Sequence, residues 1–180
     1  MGSEVVRKSE TVEYAGTDME RIEIIQGEVY AMAPSSWAHD RVIDFLRYQL
    51  MLYFKDMDCK VAAGSGLKLE EDKTWEEAYV VPDLMVVCPP HKITEQGLES
   101  PPSLIVEVVS KSNSSNDLSK KRRLYMEKGV KEYWMVRDFK SFIRCVLDEN
   151  GQDDLELLGH EIESVVFPGL KITLEGVEKW

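Results

Sequence analysis

Two short runs decide the fold: VVPDLMVV at residues 80–87 and SLIVEVVS at residues 103–110. Both are dense in apolar and β-branched residues, the composition of strands covered on both faces within a sheet. Each also holds one acid where the pattern predicts core, Asp83 in the first and Glu107 in the second. An unpaired carboxylate is costly to bury, so each needs a cationic partner, a bound cation or a raised pKa. For a single such acid, a strand end reaching water or an arginine partner is the better explanation. Two of them, in neighbouring strands and followed by a lysine-bearing helix, favour function.

Working outward, RIEIIQGEVYAMA at 21–33 reads as a hairpin around Gln26-Gly27, and Pro34, Ser35 and Ser36 then end the strand and supply helix caps. Val42, Phe45, Leu46, Leu50, Tyr53 and Phe54 recur at helical spacing, which predicts a helix from Trp37 to Phe54. Short strands are expected at Cys59–Ala63 and Leu67–Leu69 around Gly64-Ser65-Gly66, before an acidic loop at Glu70–Glu77. Pro89, Pro90, Gly97, Pro101 and Pro102 punctuate a surface loop. A helix follows from Asp117 to Lys128, stopped by Gly129. The remaining strands are expected at Glu132–Val136, at Phe142–Leu147 and Leu155–Leu158 around Asn150-Gly151, and near Val165 and Ile172. Helices alternating with buried strands give an α/β class, a mixed central sheet flanked by helices.

The 180 residues are read as one domain, 1–180, with 43% hydrophobic and 31% charged residues. The longest apolar runs are strand length, far short of a membrane span. MGSEVVRKSE at the start contains no apolar signal region, and Cys59, Cys88 and Cys145 form no CxxC pair and no even disulfide framework. Those features fit a reducing cytosol, so a cytoplasmic location without membrane attachment is expected. A net charge of −11 argues against a polyanionic partner. However, Lys111, Lys120, Lys121, Arg122, Arg123, Lys128 and Lys131 crowd one stretch against only Asp117 and Glu127. Charge alone does not choose between a solvated helix face and a phosphate-binding one.

Several chemistries are excluded. His39, His91 and His160 match no zinc-ligand spacing, and DENGQDD at 148–154 has Asp153 where a calcium loop needs glycine. The GSG at 64–66 lacks the Lys-Ser/Thr of a phosphate loop, and no G-x-S-x-G elbow occurs. Helical phase, roughly 100° per residue, sets Lys121 in the stripe of Leu118, Leu124 and Tyr125, while Lys120 and Arg123 point away. A lysine in that stripe calls for a carboxylate on the sheet. Two acids and a lysine form a sensible set: hard oxygens hold Mg²⁺ or Mn²⁺, and the ammonium supports the nucleophile or developing charge.

These residues make the sequence resemble the PD-(D/E)XK nuclease superfamily, and more closely a bacterial restriction-endonuclease family first catalogued as a domain of unknown function. The resemblance runs from about Glu20 to Leu174, a core of about 20–174. It rests on IIQGEVYAMAPSSWAH, VVPDLMVV, ITEQGLESPPSLIVEVVSKSN, DLSKKRRLYMEKGVKEYWMV and VFPGLKI, in that order. It implies a restriction-endonuclease-like core with Asp83 and Glu107 as metal ligands. The superfamily's usual lysine position, two after the glutamate, holds Val109. The family draws its lysine from the following helix in a D-x-x-x-K-x-x-x-Y arrangement, which Asp117, Lys121 and Tyr125 match. Glu28 and His39 match the family's hairpin glutamate and first-helix histidine, as further site neighbours. Lys111 stands at a usual proline and Arg137 at a usual aspartate.

The expected activity is a Mg²⁺- or Mn²⁺-dependent endodeoxyribonuclease, with Lys121 assisting the attacking water and Lys111, Lys120 and Arg123 contacting nucleic acid. Paired cleavage of a duplex suits a homodimer. The alternatives are a non-catalytic nucleic-acid or protein-binding module on the same fold, and an unrelated phosphoesterase or acid hydrolase.

Overall fold

A computed structural model of the chain describes residues 5–6, 22–32, 34–109 and 115–180, and at 5–6 and 115–118 it describes the backbone alone. In chain order the strands are β1 (Val5–Val6), β2 (Ile22–Ile25), β3 (Glu28–Ala31), β4 (Lys60–Ala63), β5 (Leu84–Val87), β6 (Leu104–Val109), β7 (Glu132–Arg137), β8 (Ser141–Leu147), β9 (Asp153–Leu157), β10 (Glu161–Glu163) and β11 (Lys171–Thr173). Helix α1 spans Trp37–Phe54, α2 spans Ser115–Glu127, and a short 3₁₀ turn covers Val177–Lys179. A six-stranded sheet in the order β4-β5-β6-β7-β8-β9 forms the centre. Its neighbours are antiparallel except β6 and β7, which run parallel because α2 carries the chain between them.

The central strands are covered on both faces, as their apolar composition requires. Leu84, Val86, Leu104, Val106, Val108, Trp134 and Val136 pack toward α1, whose Val42, Leu46, Leu50 and Phe54 recur every fourth residue. Met85, Val87, Ile105, Tyr133 and Met135 face the opposite way, toward Leu124 and Tyr125 of α2 and Ile25 and Tyr30 of the hairpin. Ser36 caps α1 by accepting the His39 N–H, and Asp40 stands in the first turn where negative charge is favourable.

Three local expectations are corrected. Cys59 and Cys88 are joined by a disulfide, one residue beyond the Lys60–Val87 pair of β4 and β5, which removes the cysteine argument for a reducing compartment. Leu67–Leu69 forms no strand: Leu67 is held by an isolated bridge to Val80 and another to Leu98. Beside it Gly97, at φ +150°, passes so close to the Gly66 carbonyl that a Cβ there would sit 2.3 Å from the oxygen. The strand expected near Val165 lies earlier, at β10, because polar groups intercept the later backbone. Glu132 accepts the Val165 and Val166 N–H groups, and Ser164 Oγ accepts those of Val166 and Phe167.

Glu132 itself is fully buried, and it also accepts bonds from Trp134 Nε1 at 2.7 Å and Ser164 Oγ at 2.5 Å. Truncating it strands several buried donors at once. Glu132→Ala is therefore expected to lower stability by about 3 kcal/mol in urea titrations. Ser164→Ala, which leaves the carboxylate three other donors, should lose about 1–2 kcal/mol.

Candidate active site

Strand register brings the two isolated acids together. β5 and β6 pair Leu84 with Val106 and Met85 with Ile105, so the next step of the ladder sets Asp83 opposite Glu107. The Gly64 N–H bonds the Asp83 carbonyl at 3.2 Å, carrying the β4–β5 ladder through that residue. Side chains alternate along a strand, so Asp83 shares the face of Met85 and Val87, and Glu107 that of Ile105. This is the face that α2 covers.

Asp83 Oδ2 accepts the Val108 N–H at 2.7 Å and lies 3.4 Å from His39 Nε2, which is 3.0 Å from the Val108 carbonyl oxygen. His39 is thus beside the candidate site, delivered by the first turn of α1. Burial opposes its protonation, but the hydrogen bond and charge of Asp83 outweigh that and raise its pKa. Glu107 is buried, and its Oε1 accepts bonds from Lys121 Nζ at 3.2 Å and Tyr125 Oη at 2.9 Å. The helical phase brings Lys121 onto the sheet as expected from its stripe. Burial likewise raises the Tyr125 pKa, so its hydroxyl is a donor to the carboxylate.

Sequence reasoning missed Glu23. This buried acid of β2 lies with Oε1 at 2.7 Å from Lys121 Nζ, and the same oxygen accepts the Val81 N–H at 2.7 Å. The signal was present, since Glu23 is a lone acid between Ile22 and Ile24 just as Glu107 is between valines. Glu23 and Glu107 therefore share one ammonium. Burial, with the charges of Asp83 and Glu23, pushes the Glu107 pKa up to about 7 against the opposing pull of Lys121. Burial would lower the Lys121 pKa, but Glu107 and Glu23 together raise it. The lysine stays charged, and the shortage of positive charge falls on Glu107.

The other expected residues are placed as follows. Lys120 does not stand free on an outward face: its ammonium lies 2.7 Å from both Glu28 Oε2 and Tyr30 Oη on the hairpin. Glu28 thus serves the neighbouring lysine rather than Lys121. Arg123 is exposed and pairs with Glu127 one turn on. The Asp117 backbone lies in α2, and its side chain, like all of Lys111, is outside the described residues. Among the described residues, no helix is long and apolar enough to cross a membrane.

Removing the shared ammonium leaves buried carboxylates uncompensated. Lys121→Ala is expected to cost about 3 kcal/mol in chemical denaturation. Lys120→Ala, at a site more than a third exposed, should leave the unfolding midpoint close to that of the parent.

Comparison with known proteins agrees with this architecture. The Uma2 family model, described as "Putative restriction endonuclease", matches residues 9–175. Two similar proteins come from Synechocystis sp. (strain ATCC 27184 / PCC 6803 / Kazusa). "Uncharacterized protein slr1290" is 25% identical over 152 residues, 84% of this chain and 78% of the relative. "Uncharacterized protein sll1609" is 32% identical over 123 residues, 67% of this chain and 68% of the relative. A crystal structure of "a putative nuclease belonging to DUF820" from Anabaena variabilis ATCC 29413 superposes with a TM-score of 0.70. It covers 92% of this chain and 93% of its own at 14% identity, a likeness of fold.

Proposed function

The chain belongs to the Uma2 family of restriction-endonuclease-like proteins, and we propose that it is a divalent-metal-dependent endodeoxyribonuclease. Asp83 and Glu107 are the metal ligands, and Lys121 assists the attacking water. The observation that carries this reading is the placement of two lone core acids on adjacent strands beside a buried ammonium. The donor set suits Mg²⁺ or Mn²⁺, which take hard oxygens and retain waters, so two protein carboxylates suffice. Among the described residues no group of three or more His, Cys, Asp or Glu side chains is placed to hold a metal ion, so the proposed site is the two carboxylates completed by water. The charge balance fits as well, because buried acids outnumber the lysine and Glu107 bears the deficit.

A divalent cation, when bound, supplies a Lewis acid for a phosphoryl oxygen and lowers the pKa of coordinated water. The residues of the chain do the rest. Lys121 has three N–H donors and directs one to Glu23 and one to Glu107 among the described residues, which leaves the third for the attacking water or a phosphoryl oxygen. Tyr125 holds Glu107 from the helix side, and His39 with the Val108 N–H holds Asp83 from the other. Arg123, exposed and paired among the described residues with exposed Glu127, is available to phosphate at little cost. Lys120 and Lys111 are the further proposed phosphate contacts, and a two-fold dimer would present two such sites to the strands of a duplex.

The test is a nuclease assay on plasmid, linear duplex and single-stranded DNA with Mg²⁺ or Mn²⁺, stopped by EDTA. Asp83→Asn and Glu107→Gln should each lower turnover by at least about a hundred-fold, and Glu107→Gln should also weaken Mn²⁺ binding in calorimetry. Lys121→Ala should lose turnover while keeping Mn²⁺ affinity, because it is no ligand. DNA bound without cleavage would instead mark a binding module. Charge reversal at Arg123 should weaken DNA binding and flatten its salt dependence, with the slope falling by about one.

A further inference from the structure

Glu23 is a buried acid that this chemistry does not use. It sits on β2, in a hairpin outside the six-stranded sheet, yet it reaches the centre of the site. Its Oε1 is 2.7 Å from Lys121 Nζ, closer than the 3.2 Å from that ammonium to Glu107. The same oxygen accepts the Val81 N–H at 2.7 Å, and Val81 leads through Pro82 straight into Asp83. A single carboxylate oxygen therefore grips both the helix lysine and the segment that presents Asp83.

We propose that Glu23 is a positioning residue that sets the Lys121 ammonium between Glu107 and the Asp83 segment. The role rests on the nuclease reading of this site. A lysine ammonium is a point charge on a flexible four-carbon stem, so one acidic neighbour fixes its distance but not its direction. With Glu107 alone, the ammonium collapses onto that carboxylate and spends its donors on a proposed metal ligand. Glu23 pulls from the hairpin side and fixes the ammonium between the two carboxylates, with the longer contact to Glu107, so its third donor stays directed at the reacting oxygen. Displacing a catalytic group by about 1 Å can cost on the order of a hundred-fold in rate.

The experiment uses the full chain and compares wild type with Glu23→Gln, which keeps volume and an acceptor for the Val81 N–H but removes the charge. Glu23→Gln should lower kcat on plasmid DNA at least about ten-fold while KM stays within about two-fold. In a Lys121→Ala background the same change should alter the residual kcat by less than about two-fold, because Glu23 acts through the lysine. Acetylation by acetic anhydride, read by peptide mass spectrometry, should become faster at Lys121 and not at Lys120, whose Glu28 and Tyr30 partners are untouched. A purely structural loosening would speed both lysines. If Glu23→Gln does not fold, Glu23→Asp carries the test: it keeps the charge but is one methylene short, so kcat falls and KM does not. An unchanged kcat in the folded variant, or an equal loss with and without Lys121, overturns the role of Glu23 alone. A wild-type chain that cuts no DNA overturns the nuclease reading and this role together.

Discussion

The buried ammonium of Lys121 ties together parts of the chain that share no backbone ladder. It belongs to α2, and its two carboxylate partners lie on β2 of the hairpin and β6 of the central sheet. Taking such ions out of water costs several kcal/mol each, and the cost is offset only where the geometry is good and remaining polar groups are bonded. Here the Val81 N–H and the Tyr125 hydroxyl complete the set. The hairpin, the crossover helix and the strand carrying Glu107 are thereby held in one arrangement. A hydrophobic contact in the same place would join the layers without fixing their register.

The parallel step between β6 and β7 makes this possible. A parallel pair needs a crossover, and α2 supplies it on the face that carries Glu107. The helix therefore passes over the acid it must serve, and a lysine on its inner stripe meets the sheet. This geometry also accounts for a lysine arriving from the helix when the position two after Glu107 holds Val109, which packs against the apolar cluster on that face. Strand composition, crossover and lysine position are aspects of one constraint.

Much of this was legible because long apolar periodicity has few solutions. The runs around Asp83 and Glu107 and the fourfold spacing of α1 fixed the sheet centre and one layer, and helical phase chose Lys121 over Lys120. What escaped was set by contacts distant in sequence. Cys59 and Cys88 lie 29 residues apart and meet only because β4 and β5 pair antiparallel. Glu23 sits in a strand of four residues where neighbouring Ile24 and Ile25 are also buried, so alternation gave no sign of what its carboxylate faced. Lys120 does point away from the sheet stripe, but the hairpin wraps that flank of α2, so leaving the sheet does not mean entering water. The strand misplaced to Val165 reads as apolar, and side-chain acceptors take the N–H groups that a ladder would have used.

The same pairings change what the basic stretch means for a polyanion. Lys120 is bound by Glu28, Arg122 lies 2.9 Å from Asp153, and Arg123 faces Glu127. A chain of net charge −11 repels DNA at long range, and cations already matched to acids do little to reverse that. For these three residues attraction then comes at short range, by exchange of partners. Exposed pairs such as Arg123–Glu127 exchange cheaply, since they contribute about 1 kcal/mol or less. Lys120, held by a carboxylate and a phenol, exchanges at greater cost. A divalent cation held, as proposed, by Asp83 and Glu107 would add positive charge at the site itself, offsetting the acids that most disfavour a nearby phosphate. On the proposed function, substrate binding and metal binding are therefore coupled through charge, and the cation required for the chemistry is also what makes the acidic site approachable by a phosphodiester.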